Sequence, residues 1–381
     1  MYILFYITVA LLIIYAMLIG YYERAWKKIP AFNGGYAKSP HDTLKVSVII
    51  PARNEEDNII RCLTSISQQT YDKELIEVIV VNDHSTDSTE ERIKNFNGVN
   101  IRLINLREHL NGNTINSYKK KAIEVAISVA SGDLIITTDA DCTSKPDWIK
   151  CLVAHHLRYK AVFLAAPVKI KTDHSVLSIF QSIDFLTLQG ITGAAVSTRL
   201  HSMCNGANLA YEKKVFYEIG GFKNIDNIAS GDDMLLMHKI VKKYPTRFFY
   251  VKDSAAIVST APAPSWKSFF QQRIRWASKA DKYNDKGIFY VLLLVYFLNL
   301  LFLIFLLAAI WNISWIFFFL VLVISKTIIE YTFVRSVAAF FEQQQLMAYF
   351  PFLQPLHIIY TVFAGWFGKF GTYEWKSRRV K

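Results

Sequence analysis

Two carboxylates one residue apart follow an apolar run near the middle of the chain. Asp139 and Asp141 come directly after residues 133–138, whose apolar core is typical of a buried strand. Residues i and i+2 of an extended segment project to the same side, so both carboxylates should face the space beyond the strand. Like charges this close favour a bound cation, and Mg²⁺ or Mn²⁺ prefers oxygen ligands. The alternative is an acidic turn that caps the next helix, because an isolated Asp-x-Asp is a common tripeptide.

Apolar runs and helical spacings alternate around this pair. Such alternation is typical of βαβ units with a parallel sheet, and almost continuously apolar strands fit a sheet covered on both faces. The first strand is expected to stop at Pro51. The predicted strands cover residues 46–50, 75–81, 101–105 and 134–138, and the predicted helices cover residues 55–67 and 118–130.

Polar residues follow three of these strands at the points where the strands end. Each group alone could form a turn, since Asn, Asp, Ser and Pro favour turns. In an open α/β sheet, however, ligands bind beyond the carboxyl ends of the strands, and together the groups place carboxylates on one edge. The groups are Pro51-Ala52-Arg53-Asn54-Glu55, Asn82-Asp83-His84-Ser85 and Asp139-Ala140-Asp141.

Nucleotide and phosphate chemistry would suit this edge. Asp83 could accept the imide N–H of a uracil ring or the hydroxyls of a ribose. A divalent cation held by Asp139 and Asp141 would neutralise a diphosphate, and Lys120 or Lys121 could reach the same phosphates. A solvated basic helix face is the alternative for the two lysines.

Two further motifs lie downstream of this edge. Asn205-Gly206-Ala207-Asn208 contains a glycine that would permit close backbone approach, or it forms an ordinary turn. Asp232-Asp233 precedes an apolar run of helical spacing, and helix N-capping explains one of the two acids. The other acid is then available to accept a proton from an attacking hydroxyl group.

Hydrophobic residues make up 52% of the 381 residues and concentrate at the two ends of the chain. Residues 2–21, 288–311 and 313–333 are apolar enough to predict membrane-spanning helices. Residues 346–367, which two prolines and a histidine interrupt, are expected to be transmembrane or re-entrant. Basic residues directly after the first stretch predict an uncleaved anchor with a cytoplasmic domain behind it, and the basic end of the chain indicates a cytoplasmic tail.

The charge balance narrows the possible partners. The chain has 43 Lys and Arg against 31 Asp and Glu, a net charge of +12. A basic balance suits nucleic acid, an anionic membrane surface or phosphorylated substrates, and the apolar stretches favour the last two. No nucleic acid partner is expected, and no protein partner can be deduced. Cys62, Cys142, Cys151 and Cys204 have no metal-ligand spacing and are predicted to be reduced thiols facing the cytoplasm.

Two stretches could lie at a membrane surface. Residues 175–197 are largely apolar, with Asp184 as their one ionised side chain, and predict either a core helix or an amphipathic helix in the headgroup region. Residues 265–279 mix aromatic and basic side chains and predict an interfacial helix, which would assign its arginines to lipid headgroups.

The ordered set of motifs resembles the processive and lipid-directed members of glycosyltransferase family 2, which include cellulose and hyaluronan synthases and ceramide glucosyltransferase. The resemblance covers residues 46–279 and the flanking membrane segments. It implies the GT-A fold, an α/β nucleotide-sugar-binding domain with a Rossmann-like mixed sheet, together with one N-terminal and two to three C-terminal transmembrane or interfacial helices. The matching pieces are residues 51–55, Asp83 with Asp87, Asp139-Ala140-Asp141, residues 205–208, Asp232-Asp233 and Gln272-Arg273-Ile274-Arg275-Trp276, which is a Q-x-x-R-W motif.

The resemblance also implies roles for these residues. Asp233 would be the catalytic base, beside Asp232 where relatives often have Glu, and Asn205 and Gly206 would lie on the acceptor side. Asp139 and Asp141 would bind Mg²⁺ or Mn²⁺. The residues expected to bind the nucleotide sugar, which is expected to be UDP-linked, are Pro51, Arg53, Glu55, Asp83, Lys121, Asp139, Gln272, Arg275 and Trp276.

The implied reaction is a metal-dependent single displacement that inverts the anomeric carbon. Two or three C-terminal segments are few for a polysaccharide channel, so a membrane lipid is the expected acceptor and processive polysaccharide synthesis is the alternative. A membrane-anchored nucleotidyltransferase or a non-catalytic nucleotide-sugar sensor would share the acidic edge. Neither would need both Asp233 and the Q-x-x-R-W motif.

We expect the chain to be a multi-pass protein of the cell (inner) membrane whose catalytic domain lies in the cytoplasm. Its predicted segments are an anchor (1–23), a linker (24–44), the catalytic domain (45–263), an interfacial helix (264–287), two transmembrane helices (288–335), a transmembrane or re-entrant segment (346–368) and a basic tail (369–381).

Overall fold

A computed structural model describes residues 2–31, 43–110, 115–228, 231–279, 286–371, 373–375 and 378–380. The chain divides into two compact units. Unit 1 comprises Met1–Ile29, Ile170–His201 and Pro262–Lys381, and unit 2 comprises Pro30–Lys169 and Ser202–Ala261. Most of the predicted linker 24–44, and parts of the predicted segments 264–287 and 369–381, lie outside the described residues.

The described helices are distributed over both units. Unit 1 contains α1, α6 and α9 to α12, and unit 2 contains the others. In chain order the helices are α1 (Tyr2–Lys28), α2 (Ile59–Ser67), α3 (Thr89–Lys94), α4 (Tyr118–Val129), α5 (Trp148–Tyr159), α6 (Val176–Thr198), α7 (Lys213–Glu218), α8 (Met234–Lys243), α9 (Trp266–Ala277), α10 (Lys286–Ala308), α11 (Ser314–Phe340) and α12 (Phe350–Phe370).

The strands build one large sheet and two small ones. In chain order they are β1 (Val46–Ala52), β2 (Ile76–Asn82), β3 (Ile101–Asn105), β4 (Leu134–Thr137), β5 (Thr143–Ser144), β6 (Phe163–Ala165), β7 (Val168–Ile170), β8 (Leu209–Glu212), β9 (Phe248–Tyr250), β10 (Val258–Thr260), β11 (Tyr373–Trp375) and β12 (Arg378–Val380). The large sheet has the order β3-β2-β1-β4-β8-β6-β9, β5-β10-β7 forms a second sheet, and β11 pairs with β12.

The large sheet of unit 2 is mixed, as predicted. Strand β1 pairs in parallel with β2 and β4, and β2 pairs in parallel with β3. Strand β8 runs antiparallel to β4 and β6. All four residues of β4 are buried, which fits a central strand covered on both faces.

Strand β1 continues through Pro51 to Ala52, so the expected stop at Pro51 is wrong. Ile49 accepts a hydrogen bond from Thr138 on the β4 side, and Ala52 accepts one from Asp83 on the β2 side. Because bonding directions alternate along a strand, the nitrogen of Pro51 faces the β4 side, where the register with β4 has already ended at Thr137. The missing N–H of proline therefore removes no ladder hydrogen bond there.

Helix α6 belongs to the interior of unit 1, which favours the core alternative for residues 175–197. Its buried residues include Ile183, Phe185 and Leu186. Helix α11 approaches it closely, because a Cβ atom added at Gly190 would lie only 2.4 Å from Cγ2 of Val337. The predicted catalytic domain 45–263 therefore differs from unit 2, which lacks Ile170–His201.

Three helices of the described chain are long and apolar enough to cross a membrane: α1, Gly287–Ala308 within α10, and α11. Helix α12 is continuous over Pro351 and Pro355, so the expected interruption is absent. Pro351 lies in the first turn, where the missing N–H has no helical partner to lose, whereas Pro355 lies within the helix. Helix α12, with 21 residues, is not among these three helices.

Unit 1 also encloses charged side chains. Lys326 and Glu330 on α11 form an ion pair of 2.7 Å, and Gln354 on α12 accepts from Lys326 at 2.9 Å and donates to Glu330 at 2.6 Å. The hydroxyl of Tyr15 on α1 donates to the same carboxylate. This network joins three helices and offsets the cost of burying both charges.

We predict that Gly190→Ala destabilises the protein by about 1–3 kcal/mol, because a methyl group there collides with the branched side chain of Val337. Thermal unfolding of the detergent-solubilised chain measures the effect. Gly20→Ala is the matched control, since no atom lies within 4 Å of a Cβ at that helical position. Equal unfolding temperatures for the two variants would contradict the close packing of α6 and α11.

Candidate active site

The loops that follow β1 and β2 interlock at the carboxyl end of the sheet. Arg53 donates through Nη1 to the backbone carbonyl of Asp83 at 3.0 Å and lies 3.9 Å from its Oδ1. Nδ1 of His84 lies 2.9 Å from the same Oδ1, and the Asp83 side chain is buried. The side chain of Asn54 accepts a hydrogen bond from the amide of Thr86. Two predicted nucleotide-binding residues, Arg53 and Asp83, therefore meet as expected.

Carboxylates converge beyond β4. Oδ2 of Asp141 accepts a hydrogen bond from the hydroxyl of Thr260 at 3.1 Å, and the thiol of Cys142 donates to Oδ1. Burial raises the pKa of Asp141, and the charges of Asp139 and Glu55 raise it further. Both causes disfavour the ionised carboxylate unless a positive charge binds beside it. Oxygen donors in this state fit a hard divalent cation such as Mg²⁺ or Mn²⁺.

Lys119 lies between two of the acids. Its Nζ is 2.6 Å from Oδ1 of Asp139 and 3.3 Å from Oδ2 of Asp232. Burial by itself lowers the pKa of Lys119, but the charges of Asp139 and Asp232 outweigh it and raise this pKa above its ordinary value. The ammonium group therefore stays charged and balances part of the acidic cluster.

The other two lysines of the run have different surroundings. Lys120 is buried and donates to the carbonyls of Ile225 and Ile228, both at 2.6 Å, and burial lowers its pKa to about 8. It therefore does not lie on a solvated basic face. Lys121 pairs with Glu124 at 2.8 Å. The geometry favours Lys119 over the predicted Lys121 as the lysine of the acidic edge.

Asp232 and Asp233 occupy different positions at the start of α8. Asp233 is the N-cap residue and accepts from the amide of Met234 at 2.7 Å. Its Oδ2 accepts from the amide of Gly206 at 3.0 Å, whereas Asp232 faces Lys119. A Cβ atom at Gly206 would lie 3.2 Å from Oδ2 of Asp232, so glycine permits this close approach. The predicted acceptor-side and catalytic residues thus lie together.

The asparagines near Gly206 are held by hydrogen bonds within unit 2. Asn205 accepts from the amide of Ala207 at 2.9 Å, which closes the turn. Asn208 is buried, accepts from the indole of Trp148 at 2.9 Å and donates to two backbone carbonyls. Asn208 therefore fixes the start of β8, which positions the Gly206 turn beside the acids.

Gln272, Arg275 and Trp276 lie on α9 in unit 1. Their predicted contact with the donor diphosphate and the acceptor stays a prediction. Within unit 1, the guanidinium of Arg273 contacts both Gln272 and Trp276.

A second group of potential metal ligands lies elsewhere in unit 2. One ligand atom each of Cys151, His155 and Asp253 lies within 4.8 Å of the others, and all three residues are buried. Sequence spacing does not predict this group, because Asp253 is distant along the chain from Cys151 and His155. Nδ1 of His155 is 2.9 Å from the carbonyl of Cys151 and Asp253 caps a short helical turn, so hydrogen bonding within the fold accounts for these side chains.

Sequence reasoning missed two residues of the acidic edge. Thr260 lies 119 positions after Asp141, and only the pairing of β10 with β5 brings the two close. Lys119 was visible as part of a lysine run, and helical geometry lets one of three consecutive residues face a given side. The sequence contains no signal that identifies which one.

Comparisons with known proteins identify the family of the chain. A family model described as "Glycosyl transferase family 2" matches residues 47–220, and one described as "Glycosyl transferase family group 2" matches residues 134–370. The probable glycosyltransferase YdaM of Bacillus subtilis is 28% identical over 257 residues, which are 66% of this chain and 58% of that protein. Glycosyltransferase AglE of Haloferax volcanii is 34% identical over 105 residues, which are 28% of this chain and 33% of that protein. The matched part of this chain thus spans less than two thirds of either relative.

The fold also resembles a solved structure. The mannosyltransferase PcManGT from Pyrobaculum calidifontis, in complex with GDP-Man and Mn²⁺, aligns with a TM-score of 0.59 and 19% identity. The alignment covers 96% of this chain and 98% of that one. The predicted GT-A fold class is therefore confirmed.

We predict that Lys119→Met tightens Mn²⁺ binding in the absence of any nucleotide by on the order of tenfold, about 1.4 kcal/mol. Without the ammonium group, the negative charges of Asp139 and Asp232 are no longer balanced, so the two acids attract the cation more strongly. Calorimetric titration of the purified chain measures the affinity. Lys121→Met, which removes the partner of Glu124, should leave it unchanged. Equal affinities for the two variants would contradict the role of Lys119.

Proposed function

Because the chain belongs to glycosyltransferase family 2, we propose that it transfers a sugar from a nucleotide-diphosphate sugar to a lipid acceptor in a membrane. The matching family-group model covers more than half of the chain. The proposal of a nucleotide-diphosphate sugar as donor rests on one observation. Four carboxylates and a lysine converge beyond β4, at the edge where α/β sheets bind ligands. These residues are Asp139, Asp141, Asp232, Asp233 and Lys119.

The donor would bind across the ends of β1, β2 and β4. Asp83, held by Arg53 and His84, would accept hydrogen bonds from the nucleoside, and Pro51 and Glu55 would line the same edge. The diphosphate would lie near Lys119, and Lys121 is the alternative. Gln272, Arg275 and Trp276 would complete donor binding, as the family resemblance implies. The proposed donor is UDP-linked, and a GDP-linked donor is the alternative, because a protein of similar fold was solved with GDP-Man.

Asp139 and Asp141 would hold Mg²⁺ or Mn²⁺. The cation would supply positive charge that stabilises the leaving nucleoside diphosphate. Lys119 would contribute a second positive charge at the same place, because its pKa keeps it protonated. The presence of Mn²⁺ in the mannosyltransferase structure supports this proposal.

Asp233 would act as the general base. Its two backbone hydrogen bonds, from Met234 and Gly206, fix the orientation of the carboxylate. Each carboxylate oxygen keeps a further lone pair that can accept the acceptor's hydroxyl proton. Attack in line with the leaving diphosphate would invert the anomeric carbon. Asn205 and Gly206 would border the acceptor, and Asp232 would hold Lys119.

The membrane helices support a lipid acceptor. Suppose that α1, α10 and α11 each cross the membrane once and that α12 lies at the membrane interface. With the N-terminus outside the cell, the residues between α1 and α10 then lie in the cytoplasm, and so does the C-terminus. This arrangement agrees with the basic residues that follow α1 and with the basic tail. The three candidate spans found among the described residues are few for a polysaccharide channel, so processive synthesis is the alternative.

The test is incubation of membranes containing the chain with radiolabelled UDP- and GDP-sugars and Mg²⁺ or Mn²⁺. Label in the organic phase would support the proposal, and label in insoluble polymer would support processive synthesis. If label were transferred only when it is supplied as a nucleoside triphosphate, the result would contradict both the proposed lipid glycosylation and processive synthesis.

We predict that Asp233→Asn lowers the rate of sugar transfer by about 10²–10⁴-fold, because general base catalysis is lost. Asparagine also caps helices, so the fold and donor binding should persist. Initial rates at saturating donor test this prediction, with nucleotide binding as the folding control. Asp232→Asn is the matched variant and should mainly weaken donor binding. A normal rate for Asp233→Asn together with a collapse for Asp232→Asn would assign the base to Asp232.

A further inference from the structure

Arg273, one of the two unspecified positions of the Q-x-x-R-W motif, is buried inside unit 1. Its Nε and Nη2 donate to the same oxygen of Asp184 on α6, at 3.0 and 2.6 Å. The other oxygen of Asp184 accepts from the hydroxyl of Tyr360 on α12 and lies 3.8 Å from His357. Asp184 is therefore the anchor of the guanidinium, and α12 holds the anchor in place.

The same guanidinium contacts two of the motif's defining residues. Nη1 donates to the side-chain oxygen of Gln272 at 2.9 Å. The guanidinium carbon lies 4.3 Å from the ring centroid of Trp276 and 4.7 Å from that of Phe269. A planar guanidinium can form a two-donor ion pair and stack on aromatic rings at once, which an ammonium group cannot do.

From these contacts we propose that Asp184 and Arg273 are positioning residues that set the side-chain orientations of Gln272 and Trp276. Asp184 fixes the plane of the Arg273 guanidinium. That plane in turn fixes the side-chain amide of Gln272 and the indole of Trp276. Without Asp184, the buried guanidinium would have to find another acceptor, and both contacts would change. The functional part of this proposal rests on the proposed donor-binding role of the motif.

Fluorine NMR of the full-length chain in detergent, with 5-fluorotryptophan at its eight tryptophans, tests the positioning directly. The Trp276 resonance is assigned by its loss in Trp276→Phe, and that of Trp148 in unit 2 by its loss in Trp148→Phe. We expect Asp184→Asn and Arg273→Lys to shift or broaden the Trp276 resonance and to leave the Trp148 resonance unchanged. Glu330→Gln is the control, because it disturbs a buried ion pair of the same unit that contacts neither Arg273 nor Trp276.

Asp184→Glu covers the case in which the first two variants do not fold. It keeps the carboxylate charge but displaces it by one methylene, so the protein should fold with a smaller shift of the Trp276 resonance. An unchanged Trp276 resonance in every folded variant of Asp184 and Arg273 overturns the proposal.

A double-mutant cycle tests the functional part. Arg273→Lys should raise the KM for the nucleotide sugar roughly tenfold and change kcat less, since bound donor still reaches the reacting groups. If Arg273 acts through Gln272, adding Gln272→Ala should cost little more than the larger single change. Effects that multiply would show that Arg273 acts independently of Gln272, which would overturn this functional part of the proposal. If the unaltered chain transfers no sugar, the proposed function fails, whereas the fluorine spectra still decide the positioning role.

Discussion

The acidic edge of the sheet depends on charge balance. Asp139, Asp141, Asp232 and Asp233 are contributed by two separate parts of the chain, and Lys119 is the cation among them. Burial raises the pKa of Asp141, and repulsion from Asp139 and Glu55 raises it further. A divalent cation bound by Asp139 and Asp141, as proposed above, would reduce this repulsion.

Unit 2 holds these acids in place through backbone geometry and buried polar contacts. Asp139 and Asp141 follow a central strand whose four residues are buried, so their positions cannot drift far. Asp233 is fixed as the cap of α8, and Asn208 fixes the turn that brings Gly206 against it. The residues proposed to do chemistry are thus attached to rigid elements, which keeps reacting groups in register at low entropic cost.

Much of this arrangement could be predicted from the sequence. Residues 134–138 match β4 to within one residue, because an apolar run of this length is typical of a buried strand. Residues 101–105 match β3, although Arg102 interrupts the run and only Ile104 of that strand is buried. The positions of the strand ends are enough to predict which residues lie at the acidic edge. They do not predict which of Lys119, Lys120 and Lys121 faces this edge, because that depends on the rotation of α4 about its axis. Likewise, the contact between Asp141 and Thr260 arises from a pairing across 119 positions.

Charges buried in unit 1 show a different limit of sequence reasoning. From the sequence, Asp184 is the one ionised residue of an apolar helix, and composition assigns Arg273 to lipid headgroups. Neither interpretation pairs them, since the two residues are 89 positions apart. Once paired, each explains the other: an aspartate in an apolar helix and an arginine in an aromatic one are both costly to bury alone. Unit 1 therefore contains a buried ion pair where apolar side chains would pack more simply, and the ion pair fixes the orientation of the side chains around it. That geometry belongs to the motif most expected to bind the donor.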